Sequence, residues 1–302
     1  MTTPQLTLRA TGRARRRLIV NRVAEVAAIA AALSAIVVLG IMVWSVASRG
    51  ISALNLDFFT KGPALFGQPG GGIAPAIVGS IVLVAIATIV ALPFGVMTAI
   101  FVSEFAPKQW ADQVRLWLDT LNGFPSIVIG IFVYTLIVKE ALPVLGIGGH
   151  QSAIAGGVAL AIIMLPLVAR SAMEVLALVP NGLREGSYAL GVSKWQTVVR
   201  VVLPTSLGGI LTGTTLAIAR AAGETAPLLF TCAIASNAVD WNPSHSVQSI
   251  PLTIFTYSES ADPNLHAQAW AAAFVLIVFV LVTSLTARFL LDRSRRKLGL
   301  HR

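Results

Sequence analysis

Long runs without a charged side chain decide what this chain can fold into. Residues 26–48, 62–103, 120–138, 141–169 and 263–287 contain no Asp, Glu, Lys or Arg. A further run from about residue 205 is apolar apart from Arg220 and Glu224. A helix needs about 20 apolar residues to cross the hydrocarbon layer of a bilayer. Backbone N–H and C=O groups find no water there, so each run must close its hydrogen bonds within itself. Composition agrees: 56% of the 302 residues are hydrophobic and 12% are charged, about half the charged share of a soluble domain. The expectation is an all-α integral membrane protein. Its six transmembrane helices fall at about 23–48, 74–103, 118–138, 152–179, 205–235 and 267–291. A basic tail, 1–22, precedes this transmembrane domain of residues 23–291, and a second basic tail, 292–302, follows it.

The net charge of +9 does not point to nucleic acid, because the basic residues sit in the tails and connections and form no stripe interleaved with aromatics. Their placement gives an orientation instead. With the N-terminus inside, the inner segments hold seventeen Lys and Arg and the outer segments three; Arg170 and Arg220 are left within the spans. Cytoplasmic loops carry this excess, so both termini are expected in the cytoplasm. The apolar run of 23 residues at 26–48 exceeds the core of a signal peptide and reads as an uncleaved first helix.

The inner connection at 180–204, "VPNGLREGSYALGVSKWQTVVRVVLP" with its flanks, is not a plain polar linker. Tyr188, Val192, Trp195, Val199 and Val202 recur at spacings of 4, 3, 4 and 3, one apolar stripe along a helix. Gly191 interrupts it and suggests a tight turn between two short helices, or a close backbone approach. Two readings stand: an amphipathic helix on the membrane surface, or a docking element for a cytoplasmic subunit.

Several chemistries lack their residues. No Gly-x4-Gly-Lys-Ser/Thr phosphate loop occurs; the nearest string, Gly186 to Ser193, has Val192 where the lysine belongs. His150, His245, His266 and His301 show no metal-ligand spacing and read as solvated loop and tail residues. The single cysteine, Cys232, has no nucleophile signature around it and reads as a small packing residue. No cofactor, metal or catalytic residue is implied.

"EGSYALG" followed by "VVLP" resembles the cytoplasmic coupling loop of ABC importer permeases, whose pattern is Glu-Ala-Ala, three residues, Gly, about ten residues, then an apolar residue and Pro. Glu185, Gly191, Leu203 and Pro204 take those positions, while Gly186 and Ser187 replace the two alanines. "GGIAPAIVGSIVLVAIATIVALPFGVMTAIFVSEFA", "LNGFPSIVIGIFVY" and "RAAGETAPLL" are similar to the phosphate-specific branch of that family. The resemblance covers residues 70–285. It implies a type I ABC importer permease fold and a subunit without its own ATPase site. It also implies a sister permease, two cytoplasmic ATPase subunits that bind the coupling loops of the pair, here the loop around Trp195, and an extracytoplasmic phosphate-binding protein. A same-fold permease for sulfate or molybdate, or a membrane sensor that transports nothing, remains an alternative.

Arg220 and Glu224, and likewise Arg170 and Glu174, stand at i and i+4 on one helical face. A charge near the bilayer centre must face protein or water. Each Arg can simply neutralise its own Glu. Alternatively, Arg220 and Arg170, with Glu224, Glu174 and Thr225 of the Gly-Glu-Thr-Ala-Pro string, line a path for a phosphate dianion, which a planar guanidinium matches in bidentate fashion. Gly209 and Gly213 form a Gly-x3-Gly that lets helices approach closely, expected at a contact with the sister permease. Pro227 is expected to bend the fifth helix just beyond Glu224.

Overall fold

The computed structural model describes residues 12–64, 67–68, 70–140, 150–232 and 238–297. It divides into two units, residues 1–48 and residues 49–302. The first is dominated by helix α1, Arg13–Gly50. Ten residues of the expected basic tail are therefore helical, with Arg22 and Glu25 paired at 3.2 Å. The remaining tail positions at 1–11 and 298–302 lie outside the described residues.

The second unit is built on α6, Ala153–Ala177. It is the most enclosed of the candidate spans: 67% of its most apolar window is buried, against at most 28% for the others. On one side it meets α3, Ala74–Ile100, which continues into a π-helical turn at Phe101–Phe105. Gly79, Leu83, Ala87, Ala91, Gly95 and Ala99 recur every four residues on α3 and are buried. A Cβ on Gly95 would strike Val168, and one on Gly156 would strike Leu83. Both contacts advance together by 12 residues, so α3 and α6 run parallel. Where lipid tails are as apolar as the side chains, close approach of small residues is what holds helices together.

On its other side α6 meets α9, Leu203–Ala221. Gly209 lies against Val175 and Gly213 against Ser171, so this pair is antiparallel. The Gly-x3-Gly therefore packs within the chain, not against a sister subunit as expected. The reason is geometric: the α9 glycines face α6, and their bare backbone leaves the space that the Val175 and Ser171 side chains fill.

The expected third span, 118–138, is not one helix. Helix α4, Lys108–Gly123, and helix α5, Ser126–Val133, continued by a π-helical turn at Tyr134–Glu140, meet at 96°. Phe124 and Pro125 are both extended. A proline disfavours the helical region for the residue before it and supplies no N–H itself, so the helix stops at Gly123. Five helices are long and apolar enough to cross a membrane among the described residues, or six if this bent pair counts as one span.

The segment at 236–266, expected as an outer connection, contains α11, Ile250–Ser258. Its Ser249 cap receives the Leu252 N–H, and the Ile250 N–H reaches Ser80 Oγ of α3 at 2.8 Å. With Phe58 of the short helix α2, Leu56–Thr60, and Ile73, α11 and the last helix α12, Pro263–Lys297, form a second core around Tyr257 and Ala272. The loop histidines are not merely solvated. His150 and His266 bond the carbonyls of Ser244 and Ser260, and His245 meets Asp240 at 2.6 Å. Cys232 is buried in the α3–α6 core as expected of a packing residue.

Asp262, ahead of α12, ties the segment at Gly67 to the start of α12 by accepting the Gly67 and Asn264 N–H groups at 2.8 Å. The Gly67 bond, then that of Asn264, hold its carboxyl below the ordinary range. A depressed carboxylate stabilises the fold above its unfolded value, about 3.9, and loses that contribution as pH falls through the lower folded value. Amide exchange at Gly67 is expected to accelerate on acidification below that point, and in Asp262→Ala at neutral pH. Gly213→Leu is expected to lower the yield of folded protein by forcing α9 off Ser171. Gly186→Ala, whose Cβ meets nothing within 4 Å, is expected to leave the yield unchanged; size-exclusion profiles in detergent compare the two.

Candidate functional site

Helix α9 ends at Ala221, and a short helix α10 resumes at Ala226–Thr231. The fifth span is thus broken ahead of Glu224, not bent beyond it. Pro227 cannot donate to the Gly223 carbonyl, and its ring collides with a carbonyl in that position, so the chain leaves the helix at 222–225. The Gly223 and Glu224 N–H groups fold back to the carbonyls of Arg220 and Ala221 at 3.0 and 3.2 Å. Thr225 becomes the residue capping α10, its carbonyl accepting from Leu228 at 3.1 Å. Pro227 is buried against Gly130 of α5, where a Cβ would meet the Pro227 backbone.

The two helix breaks face one another. Arg220, Glu224, Asn122, Phe124 and Ser126 line one cleft of about 90 Å³. Arg220 Nε and Glu224 Oε1 are 3.9 Å apart, beyond hydrogen-bond distance. The Glu224 side chain is 18% exposed and that of Arg220 53%. The acid is therefore the enclosed member, and the guanidinium keeps its donors turned to open space. Among the described residues no hydrogen bond occupies them.

Arg170 lies elsewhere. Its expected partner, Glu174, is exposed and makes no ion pair with it. Asp119 of α4 takes that place, its Oδ1 accepting from Arg170 Nε at 2.7 Å and also from Nη2. An i+4 glutamate must reach along its own helix, whereas a short aspartate on a crossing helix presents its oxygen directly to the edge of the guanidinium. The Gly213–Ser171 contact fixes the antiparallel register of α6 and α9, so Arg220 stands level with about Met164. That is six residues, or about 9 Å, from Arg170 along the axis. Arg220 lines the cleft at the helix breaks, and Arg170 is not among the residues that line it.

The connection after α6 folds as expected of a tight turn, in two short helices: α7, Asn181–Ala189, and α8, Lys194–Thr197. Gly191 joins them with φ +75°, and a Cβ at that position would meet nothing within 4 Å, so only its backbone freedom is used. A capping box of Ser193 and Gln196 starts α8. Ser187 and Thr197 share a buried hydroxyl hydrogen bond of 2.9 Å that ties the two helices together. The single apolar stripe is not observed, because the turn at Gly191 breaks its register. Ser187, Thr197, Val198 and Val202 face inward, whereas Tyr188, Trp195 and Val199 are exposed. Glu185 and Gly186 are exposed beside them, and Leu203 and Pro204 open α9.

What fixes this segment to the bundle was missed in the sequence. Arg184 donates to Glu104 at 2.7 Å and to the carbonyls of Val179 and Leu176 at 2.6 and 3.1 Å. Glu104 sits in the π-helical turn of α3 and its side chain is 5% exposed; that of Arg184 is 16% exposed. Arg184 thus closes the open carbonyls at the end of α6 and clamps them to α3. Trp195 packs at 6.2 Å from Phe105, whose ring also carries Lys194 at 5.3 Å. A signal existed: Glu104 is the first charge after a 42-residue uncharged run.

A family profile described as "Binding-protein-dependent transport system inner membrane component" matches residues 91–297, and the chain belongs to that family. Its similarity to named relatives is narrower. It is 37% identical to the phosphate transport system permease protein PstA of Yersinia pestis over 91% of each chain. To the PstA of Xylella fastidiosa (strain Temecula1) it is 38% identical over 93% of this chain and 96% of the relative. To PstA 1 of Mycobacterium tuberculosis (strain H37Rv) it is 36% identical over 93% and 91%. Among solved structures, a bacterial alginate ABC transporter aligns at a TM-score of 0.62 with 12% identity, over 96% of this chain and 99% of that one. The MetNI methionine ABC transporter in an inward-facing form aligns at 0.56 with 18% identity, over 74% and 94%. These structural likenesses identify the fold, the permease fold of type I ABC importers.

Removing one partner of a buried pair strands the other, at a cost on the order of 3–5 kcal/mol. Glu104→Gln and Arg184→Gln are each expected to lower the melting temperature of the purified protein. The double substitution is expected to cost less than the sum of the two, read from thermal unfolding as a double-mutant cycle.

Proposed function

We propose that this chain is the membrane-spanning permease subunit of an ATP-driven importer of inorganic phosphate, seated in the cytoplasmic (inner) membrane with both termini in the cytoplasm. The observation that carries the reading is the cleft where two helix breaks meet. It offers a guanidinium with unoccupied donors beside an enclosed carboxylate 3.9 Å away. An Arg presents several N–H donors in one plane, suited to a doubly charged tetrahedral oxyanion. Glu224 lowers the cost of the charge when the anion is absent and keeps affinity moderate, since a transport site must also release what it binds. The relatives named phosphate transport system permeases support phosphate over other oxyanions.

In this reading Arg220 with Glu224 forms the narrow contact of the path. Arg170, paired with Asp119 and flanked by Glu174, lines the path further along it, and Thr225 caps the helix that resumes after the break. The chain has no ATPase site of its own. One of two ATPase subunits docks on the exposed face of α7 and α8 around Glu185, Gly191 and Trp195, the other on the sister permease, and Arg184 passes the movement to α3 and α6. A sister permease completes the path, and an extracytoplasmic phosphate-binding protein supplies it.

Arg220→Gln is expected to abolish uptake of radiolabelled phosphate at low external phosphate while the complex still assembles; normal uptake would remove Arg220 from the path. Uptake by the unmodified protein is expected to resist excess sulfate and molybdate, and competition by either would reassign the substrate. Gly191→Trp is expected to prevent co-purification of the ATPase subunits, since a side chain at φ +75° strains the turn in the middle of the docking face.

A further inference from the structure

A cationic cleft lies away from the Arg220 cleft, where α3, α4, α6 and the α7–α8 segment converge. Its volume is about 420 Å³, within the range of small-molecule sites. Arg115, Arg184 and Lys194 line it, and Glu104 is the single acid among its walls. Glu104 is already committed to Arg184 at 2.7 Å. Asp112 offsets Arg115 only weakly, at 3.4 Å on an exposed helix face. Lys194 has its ammonium over the Phe105 ring at 5.3 Å, a contact that leaves its three donors available. The hydroxyls of Ser103 and Tyr188 and the amide of Asn181 complete the lining. Two incompletely balanced cations among neutral donors make an anion site, and the mixture of ammonium, guanidinium and hydroxyl donors suits a phosphate group.

We propose that this cleft binds a phosphate group at the inner end of the bundle, a placement that rests on the orientation proposed above. The group comes from one of two sources, the headgroup of an anionic phospholipid or free inorganic phosphate. Room for more than a bare ion, and the exposed Trp110 beside Lys108 at the start of α4, match the level at which headgroups and interfacial aromatics meet. The walls are the elements that would carry motion from the docked ATPase subunits. Arg115 belongs to α4, whose far end reaches the Arg220 cleft, and Lys194 opens α8. A bound anion bridges the two and ties the docking segment to the bundle.

The test uses the assembled complex in lipid nanodiscs, in an Arg220→Gln background. Lys194→Gln with Arg115→Gln is compared with the charge-retaining pair Lys194→Arg with Arg115→Lys. In one arm radiolabelled inorganic phosphate is titrated onto complexes in phosphatidylcholine discs. In the other, native mass spectrometry counts phosphatidylglycerol retained from mixed discs. In at least one arm the neutralised pair is expected to bind about tenfold more weakly or worse, the scale of one charge-assisted hydrogen bond, while the charge-retaining pair binds as before. Loss in the first arm assigns free phosphate, and loss in the second assigns the lipid headgroup. Equal binding of both probes by both pairs overturns the proposal. Arg115→Gln alone, at an exposed position, serves if the double variant does not assemble. The difference between the pairs isolates this cleft whatever binds elsewhere, so failure of the uptake test for Arg220 and failure here are separate results.

Discussion

A polar group inside hydrocarbon must find a protein partner, and this constraint organises the whole bundle. The chain leaves its helices at three places within or beside the spans: after Phe105, at Phe124–Pro125, and between Ala221 and Ala226. Each departure frees backbone groups that lipid cannot satisfy. Charge lies beside each of them: Glu104 with Arg184 at the first, and Arg220 with Glu224 at the other two, which share one cleft. Breaks and charges coincide because both bring polar groups that need polar partners. The small-residue seams of α6 with α3 and α9 hold the surrounding helices together by bringing backbones close.

The membrane-spanning character, the start of α3 at Ala74, the bounds of α6 and the turn at Gly191 were legible in the sequence. Each depends on a local rule: an uncharged run, a Ser152 cap, a glycine free to take a positive φ. What was misread depends on which helix lies opposite. The run at 120–138 carries no charge, so hydropathy alone joins it into a span, although Pro125 marks the place where it turns. Gly209 and Gly213 announce a close contact but not its owner. Arg170 and Glu174 share a face, yet nothing within ten residues of Arg170 announces Asp119 on another helix. The short α11 is too brief for a hydropathy window, and only its Ser249 cap and Pro251 hint at it.

The division of labour between the two arginine pairs follows from burial. Arg184 and Glu104 are enclosed, at hydrogen-bond distance and joined by two backbone carbonyls; such a pair is rigid and structural. Arg220 and Glu224 are loosely spaced, with the cation half open. The same two residue types thus give a fixed clamp in one place and an adjustable contact in another, and geometry rather than identity separates them.

The 96° elbow has a further electrical meaning. It brings the carbonyl end of α4 and the amide end of α5 to the same cleft, and opposed helix ends carry partial charges of about half a unit each, of opposite sign. Those contributions largely cancel. With Arg220 and Glu224 also of opposite sign, the chamber is close to neutral at rest, and its polarity is set by the position of one carboxylate. Were Glu224 to swing away from Arg220, the guanidinium would be left uncompensated, so the balance of charge in the chamber rests on where that one carboxylate lies.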